Sequence, residues 1–380
     1  TGGIGTLLTS FLNSRERGKD IQNICLQCGT CNTVCGGKLD IAGMILKLRT
    51  KFAQEDGLNP VHKFCLDTVA DRHLFHSMLR IASVAQGMIT KGQPMIRHLP
   101  MFLSGLTAGR SLPSIAPQPF RDILPTIKQD VPNPKGKIAI FTGCLLDFVY
   151  VDIATDVVKA LNMAGYIVEM PLGQACCGAP ATYMGDVENA KKAAELNLNA
   201  MEAEKYDYIV SACPTCTHAL RDYVDFFKDD PEMLKKAEEL RSKTFDFCKL
   251  VSMLGGLPDT GDGVPMKVTY HDSCHLNRYL GVTKEQRELL KDTKGVELIE
   301  MHDCDKCCGF GGSYSVKFPE MSAPILEEKI NNIVASGADV VAVDCPGCLL
   351  QIRGGLDARG LNNIQVKHTA QIVVEKREKK

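Results

Sequence analysis

The sequence predicts an α/β fold in which two duplicated parallel-sheet units follow a helical amino-terminal segment, and three observations carry that prediction. Short β-branched runs alternate with helical stretches, the pattern of a parallel sheet covered by helices. One series of cysteine-bearing loops occurs twice in the same order. A proline-rich stretch separates this regular part from what precedes it.

The duplication is the strongest signal. The first copy runs from KIAIFTGC through QACCGAP to SACPTC, and the second from KVTYHDSC through DKCCGFGG to VDCPGC. Each reads as a strand, a lone Cys, a helix, a strand, a Cys pair, a helix, a strand and CPxC. The gap from Cys144 to Cys176 is one residue shorter than that from Cys274 to Cys307, and the gap from Cys177 to Cys213 one shorter than that from Cys308 to Cys345. Expected strands are 138–141, 167–170, 208–211, 268–270, 296–300 and 340–343, with helices over 151–164, 188–204 and 323–336 between them. Open α/β sheets hold ligands beyond the carboxyl ends of their strands. The order therefore predicts that Cys144, Cys176, Cys177, Cys213 and Cys216 meet at one sheet edge, and Cys274, Cys307, Cys308, Cys345 and Cys348 at another. Adjacent cysteines suit a multi-iron cluster better than one tetrahedral ion. Five thiols exceed what a simple cubane needs, which points to an unusual cluster geometry or a thiol free for redox chemistry.

The chain divides into a helical segment over 1–110, a proline-rich linker over 111–136 (Pro113, Pro117, Pro119, Pro125, Pro132, Pro134), a first unit over 137–256 and a second over 264–380. Helical periodicity is clearest from Leu74 to Ala85. In the first segment Cys25, Cys28, Cys31 and Cys35 stand in the C-x2-C-x2-C-x3-C spacing of bacterial ferredoxins, where soft anionic thiolates hold iron. In two-cluster ferredoxins the fourth Cys serves the other cluster, so Cys35 is expected to ligate one whose remaining ligands precede residue 1. Gly36 stands where Pro normally follows. A structural zinc is the competing reading for this motif.

The 380 residues, 44% of them hydrophobic, suffice for packed cores without disulfides, so the 17 cysteines read as metal ligands in a reducing compartment. With 44 basic against 45 acidic residues, nothing recommends a nucleic-acid partner, and the tail Lys376, Arg377, Lys379, Lys380 reads as solvated. No apolar run is long enough to span a bilayer and no signal peptide opens the chain, although the absent initial Met leaves room for an upstream segment. The expected location is the cytoplasm, with peripheral attachment to the inner membrane face as a variant of it. The region 73–103 reads as helix for core packing or subunit docking, with a membrane surface as the alternative.

The two cysteine sets resemble the CCG domains of the heterodisulfide reductase superfamily, which includes glycolate oxidase iron–sulfur subunits and lactate utilization proteins. TYHDSCHLNRYLGV, CCGFGGSYSVKFPEMS and GCLLQI are similar to the CCG protein of the lactate utilization system, also described as an L-lactate dehydrogenase complex. The first hundred or so residues, with GRSLPSIAPQPFRD, resemble the end of that system's ferredoxin-like partner. The resemblance thus implies the carboxy-terminal part of a fusion of the two. It implies an oxidoreductase subunit carrying [4Fe-4S] in the ferredoxin-like segment and [4Fe-4S] or non-cubane clusters in the CCG domains. Its partners would be the other subunits of the dehydrogenase complex and an acceptor such as a quinone, cytochrome or ferredoxin. Both CPTC and CPGC are intact here, closer to the heterodisulfide reductase pattern, so thiol/disulfide chemistry at the CCG clusters stands as the alternative function. The glycines of CCGFGG do not make a dinucleotide fingerprint, and no flavin or nicotinamide site is expected. Oxidation of a 2-hydroxy acid is therefore expected to need a partner, with this fragment inactive alone.

Other residues read more plainly. Cys65 and Cys248 read as buried small hydrophobes, and Cys304 as a bystander in CxxC spacing from Cys307. His218, His271, His275 and His302 read as structural neighbours of the cysteine loops, and Asp272, Lys306 and Lys317 as surface charge.

Overall fold

The computed structural model describes residues 2–12, 14–90, 95–96, 111–258 and 263–378, organised around two four-stranded sheets. A small antiparallel pair, β1 (Met95–Ile96) and β2 (Leu112–Pro113), precedes them. The first sheet comprises β3 (Lys137–Ile140), β4 (Ile167–Glu169), β5 (Tyr208–Ser211) and β6 (Thr244–Asp246), in spatial order β4-β3-β5-β6. The second comprises β7 (Met266–Tyr270), β8 (Val296–Leu298), β9 (Val340–Val343) and β10 (Gln365–His368), in the matching order β8-β7-β9-β10. All their pairings are parallel. The duplication expected from the cysteine register is thus a duplication of topology.

The sequence reading found three strands per unit, and the structure adds a fourth. β6 is three residues, TFD, wedged between the helices Pro231–Lys243 and Phe247–Met253. β10, QVKH, alternates buried Val366 and His368 with polar partners at the sheet edge. Neither contains the β-branched run that marks a strand buried on both faces, such as Val340–Val343. The helix expected from residue 323 begins earlier, at Pro319, because proline at a first turn needs no amide partner.

Chain reversal places the sites. From β3 the chain crosses to β4 on one side and later returns to β5 on the other, so the carboxyl ends of β3 and β5 flank a topological switch point. The connecting helix Val151–Met163 buries Ile153, Ala154, Val157, Val158 and Leu161, one apolar stripe at helical spacing. It packs against the helix Thr369–Arg377 of the second unit, where Gln371 donates to Asp152 at 2.8 Å and Lys159 pairs with Glu378 at 2.8 Å. One apolar cluster consequently runs through both units, from Phe120 to Val374. Phe120, within the proline-rich stretch, is fully buried in it, and each such side chain contributes roughly 1.5–3 kcal/mol.

Two expectations are corrected by burial. Lys376 and Arg377 are buried, not solvated, since their helix returns onto the second unit: Lys376 donates to the Val264 carbonyl and Arg377 to the Pro258 carbonyl and Thr293 Oγ1. Cys65 is exposed on the helix Pro60–Ala70, whereas Cys248 is buried as expected. Gly109, Arg110, Lys379, Lys380 and much of 91–110 lie outside the described residues. Among the described residues no helix is long and apolar enough to cross a membrane.

A buried acidic pair sits where the two units meet. Asp344 accepts from Tyr270 Oη at 2.5 Å and from Cys248 Sγ at 3.4 Å. Asp246 caps Cys248 N–H through Oδ1 at 2.9 Å, while its Oδ2 has no partner. Desolvation, then the nearby Asp344 charge, pushes the Asp246 carboxyl well above its ordinary range. A carboxyl raised in the folded state contributes stability that is fully present below its unfolded value and is lost as pH rises through the folded one. Asp246→Asn is therefore expected to flatten the decline in stability towards alkaline pH, read as urea midpoints over a pH series. An unchanged slope would contradict a protonated Asp246.

Candidate metal centre

The cysteines leave the carboxyl ends of the strands in three loops per unit. Cys144 follows β3 and heads the turn Leu145–Phe148, and Cys274 follows β7 and heads the turn His275–Tyr279. Cys213 and Cys345 are the N-caps of the helices Pro214–Arg221 and Pro346–Ala358. Proline at the first helical position fixes each helix start, which sets Cys216 and Cys348 one turn in, on the side of the capping thiol. The glycine after each Cys pair is conformationally required: Gly178 has φ +80° and Gly309 φ +83°. A Cβ at Gly309 would also meet the Ser322 carbonyl at 2.9 Å.

These loops converge as the sequence order predicts, and further than it predicts. Cys144 is hydrogen-bonded to Cys176, Cys176 to Cys177, Cys177 to Cys216 and Cys216 to Cys213. In the second unit the same series runs Cys274, Cys307, Cys308, Cys348, Cys345. Cys213 and Cys345 join the two series across the unit boundary. The ten thiols thus form one uninterrupted chain rather than two isolated sets.

Hydrogen bonds within the chain shift the thiols in opposite directions. Cys307, accepting from Cys274 and Cys308, and Cys345, accepting from Cys213 and Cys348, are held well below the ordinary thiol range. Cys177 is pulled down to about 6 by Cys176 and Cys216. Hydrogen bonding to these neighbours, followed by burial, pushes Cys274 and Cys348 up. Deprotonated sulfur is the ligand form of cysteine. Buried soft donors at this density, at the mouth of glycine-bearing loops, suit a multinuclear metal–sulfur group.

The first unit grips the second around the site. His275 takes Thr215 Oγ1 at 2.7 Å on Nδ1 and Tyr183 Oη at 3.2 Å on Nε2, and stacks on the Tyr183 ring at 5.5 Å between centroids. His218 lies against Tyr279, 4.8 Å between centroids. His271 is fully buried, and burial, with the Lys329 charge adding, lowers it to about 4. His302 is by contrast exposed beside Asp303. Asp272 is not surface charge: it is 5% exposed and paired with Arg287 at 2.8 Å. Cys304 donates to Asp272 at 3.4 Å and receives Arg287 at 3.5 Å, which occupies its thiol outside the chain of ten. Lys306 pairs with Glu328, and burial lowers Lys317.

The amino-terminal cysteines adjoin the second unit. Cys25, Cys31 and Cys35 pack on a cluster of Leu7, Ile41, Ile45, Leu48 and Phe52, and desolvation raises Cys25 and Cys31. Gln27 and Gly29 adopt positive φ, 55° and 72°, to turn the loop around them. Arg278 donates to the Cys28 carbonyl at 3.3 Å and Tyr279 to the Gln27 carbonyl at 3.1 Å. Arg49 bridges the other way, reaching the Gln22, Cys25 and Tyr183 carbonyls at 2.5, 3.2 and 2.5 Å. The loop bearing Cys28 thus meets the turn that Cys274 heads. Cysteine spacing gave no signal for Arg49, Tyr183, Thr215, Arg278 or Tyr279, because their roles arise only where separate segments touch.

Paired parallel sheets that merge two five-cysteine sets define a duplicated cysteine-rich domain protein, and the cysteine-rich domain called CCG matches residues 138–221 and 268–353. Lactate utilization protein A of Shouchella clausii is 39% identical over 240 residues, covering 63% of this chain and 99% of that protein. Its namesake in Bacillus subtilis is 36% identical over 238 residues, 62% of this chain and 98% of its own length. The chain belongs to the lactate utilization protein A family.

Proposed function

We propose that this chain is an iron–sulfur electron-transfer subunit acting in lactate utilization, passing electrons between the oxidation of lactate or a related 2-hydroxy acid and an acceptor. The observation that carries the reading is the continuity of sulfur-bearing loops: the ten-thiol chain ends at Cys274, and the turn that Cys274 heads holds the ferredoxin-like loop through Arg278 to the Cys28 carbonyl and Tyr279 to the Gln27 carbonyl. The names of the relatives supply the pathway. In this reading Cys25, Cys28 and Cys31 hold a [4Fe-4S] cluster, with Cys35 assigned to a further one. The two five-cysteine sets hold [4Fe-4S] or non-cubane clusters. Such clusters supply one-electron exchange when bound. The protein's own part is to keep the sites close, bury them from water and supply hydrogen bonds to sulfur. Oxidation of the hydroxy acid is assigned to another subunit of a dehydrogenase complex, and the acceptor to a quinone, cytochrome or ferredoxin.

A second reading, thiol/disulfide oxidoreduction at the CCG sites, is favoured by one observation: the intact CPTC and CPGC elements touch through Cys213 and Cys345. Iron and sulfide analysis of anaerobically purified protein, then turnover of the complex with lactate, glycolate and a heterodisulfide, tests both. Iron with hydroxy-acid turnover is expected. Zinc without iron or sulfide would overturn both readings, and turnover of the disulfide alone would favour the second.

A further inference from the structure

The two cysteine sets differ at one matching position. Phe141 donates its backbone N–H to the Val210 carbonyl at 2.8 Å, and His271 donates to the Ala342 carbonyl at 3.0 Å. Each acceptor lies three residues before its CPxC cysteine, so the two side chains occupy equivalent places. Phe141 packs there with Cys177, Cys213 and Cys216. His271 instead brings a ring nitrogen within 4.8 Å of Cys308 Sγ and Cys348 Sγ.

Hydrogen bonding fixes how the imidazole is presented. Nδ1 lies 3.2 Å from the Cys304 carbonyl, which can only accept, so Nδ1 carries the hydrogen. In the neutral ring Nε2 then holds a lone pair, and Nε2 is buried without any hydrogen-bond partner. A backbone carbonyl behind the ring is the usual support of a ligating histidine. Burying that lone pair unsatisfied is costly, which a metal at the thiol pocket would relieve. His275, four residues further on, has both ring nitrogens taken by Thr215 and Tyr183.

We propose that His271 is a nitrogen ligand of the second metal–sulfur site, so that this site has mixed thiolate and imidazole ligation while the first, walled by Phe141, has thiolates alone. This rests on the cluster reading above. A neutral imidazole that takes one ligand place leaves one of the five thiols off the metal, and the smaller thiolate charge raises the reduction potential. The second site therefore has the higher potential of the two, giving electrons a preferred resting place beside the ferredoxin-like set.

The test is pulsed EPR of the reduced full chain, purified anaerobically with natural-abundance or 15N-labelled histidine. A histidine nitrogen coupling that changes with the isotope is expected. It should vanish in His271→Phe, which copies the side chain of the first unit, with a fall in the potential of one site only. Iron and sulfide are measured on the same samples. Their absence would overturn the cluster reading itself, whereas iron-loaded protein without histidine coupling would overturn the ligand alone. Should the variant not fold, the isotope comparison in the unaltered protein still decides.

Discussion

Cys308→Ser is expected to empty the second site while leaving the first loaded. Cys308 is 2% exposed, bonded to Cys307 and Cys348, and is one of the two thiols facing His271, so its loss opens the middle of the ligand set. Changes to groups that merely support metal ligands cost about 10–100-fold in affinity, and loss of a ligand should cost at least the upper end of that range. Iron and sulfide per chain should fall by one site's share, and the EPR signal of that site should disappear. Cys304→Ser is the matched control, because Asp272 and Arg287 already engage that thiol. Equal iron loss in both variants would place Cys304 among the ligands and refute the bystander reading.

Arg121→Ala is expected to destabilise the fold as strongly as loss of a buried aromatic side chain. Arg121 donates to Asp147 through Nε at 2.7 Å and Nη2 at 2.5 Å, and its backbone N–H donates to Oδ1 at 3.1 Å. The carboxylate side chain is 0% exposed. Desolvation already raises Asp147 above its usual range, with Arg121 opposing. Truncating the arginine leaves a buried charge without its counter-ion, at a cost of about 3–5 kcal/mol. The folded carboxyl then rises further above its unfolded value, so the penalty grows as pH rises and shrinks as pH falls. Denaturant titrations over a pH series should show that slope, and Arg121→Ala with Asp147→Asn should recover most of the loss. A pH-independent effect under about 1 kcal/mol, the scale of a surface pair, would contradict the burial argument.

Much of the molecule was legible because cysteines mark strand ends. The register shared by the two copies gave the duplicated sheets, and the rule that ligands gather beyond strand carboxyl ends gave three converging loops in each. Strands buried on both faces, such as Ile138–Ile140 and Val340–Val343, announce themselves by composition. The strands β6 and β10 do not, since TFD and QVKH each hold a single large apolar residue among polar ones and so carry neither an apolar run nor a readable period. The tail went wrong for a related reason: charge alone made Lys376 and Arg377 look solvated, but carbonyls from distant loops receive them.

Local sequence determined which sulfur atoms belong to each half and which glycines must turn beside them, because spacing and backbone conformation are properties of a few consecutive residues. Only the tertiary structure decided that the halves meet sulfur to sulfur at Cys213 and Cys345, that the Cys28 loop meets the turn headed by Cys274, and that His271 keeps a buried nitrogen without a hydrogen-bond partner. Those are relations between segments up to 252 residues apart, as Tyr279 to Gln27 illustrates. Packing of two sheets and their shared core sets them, and no local pattern encodes such a distance.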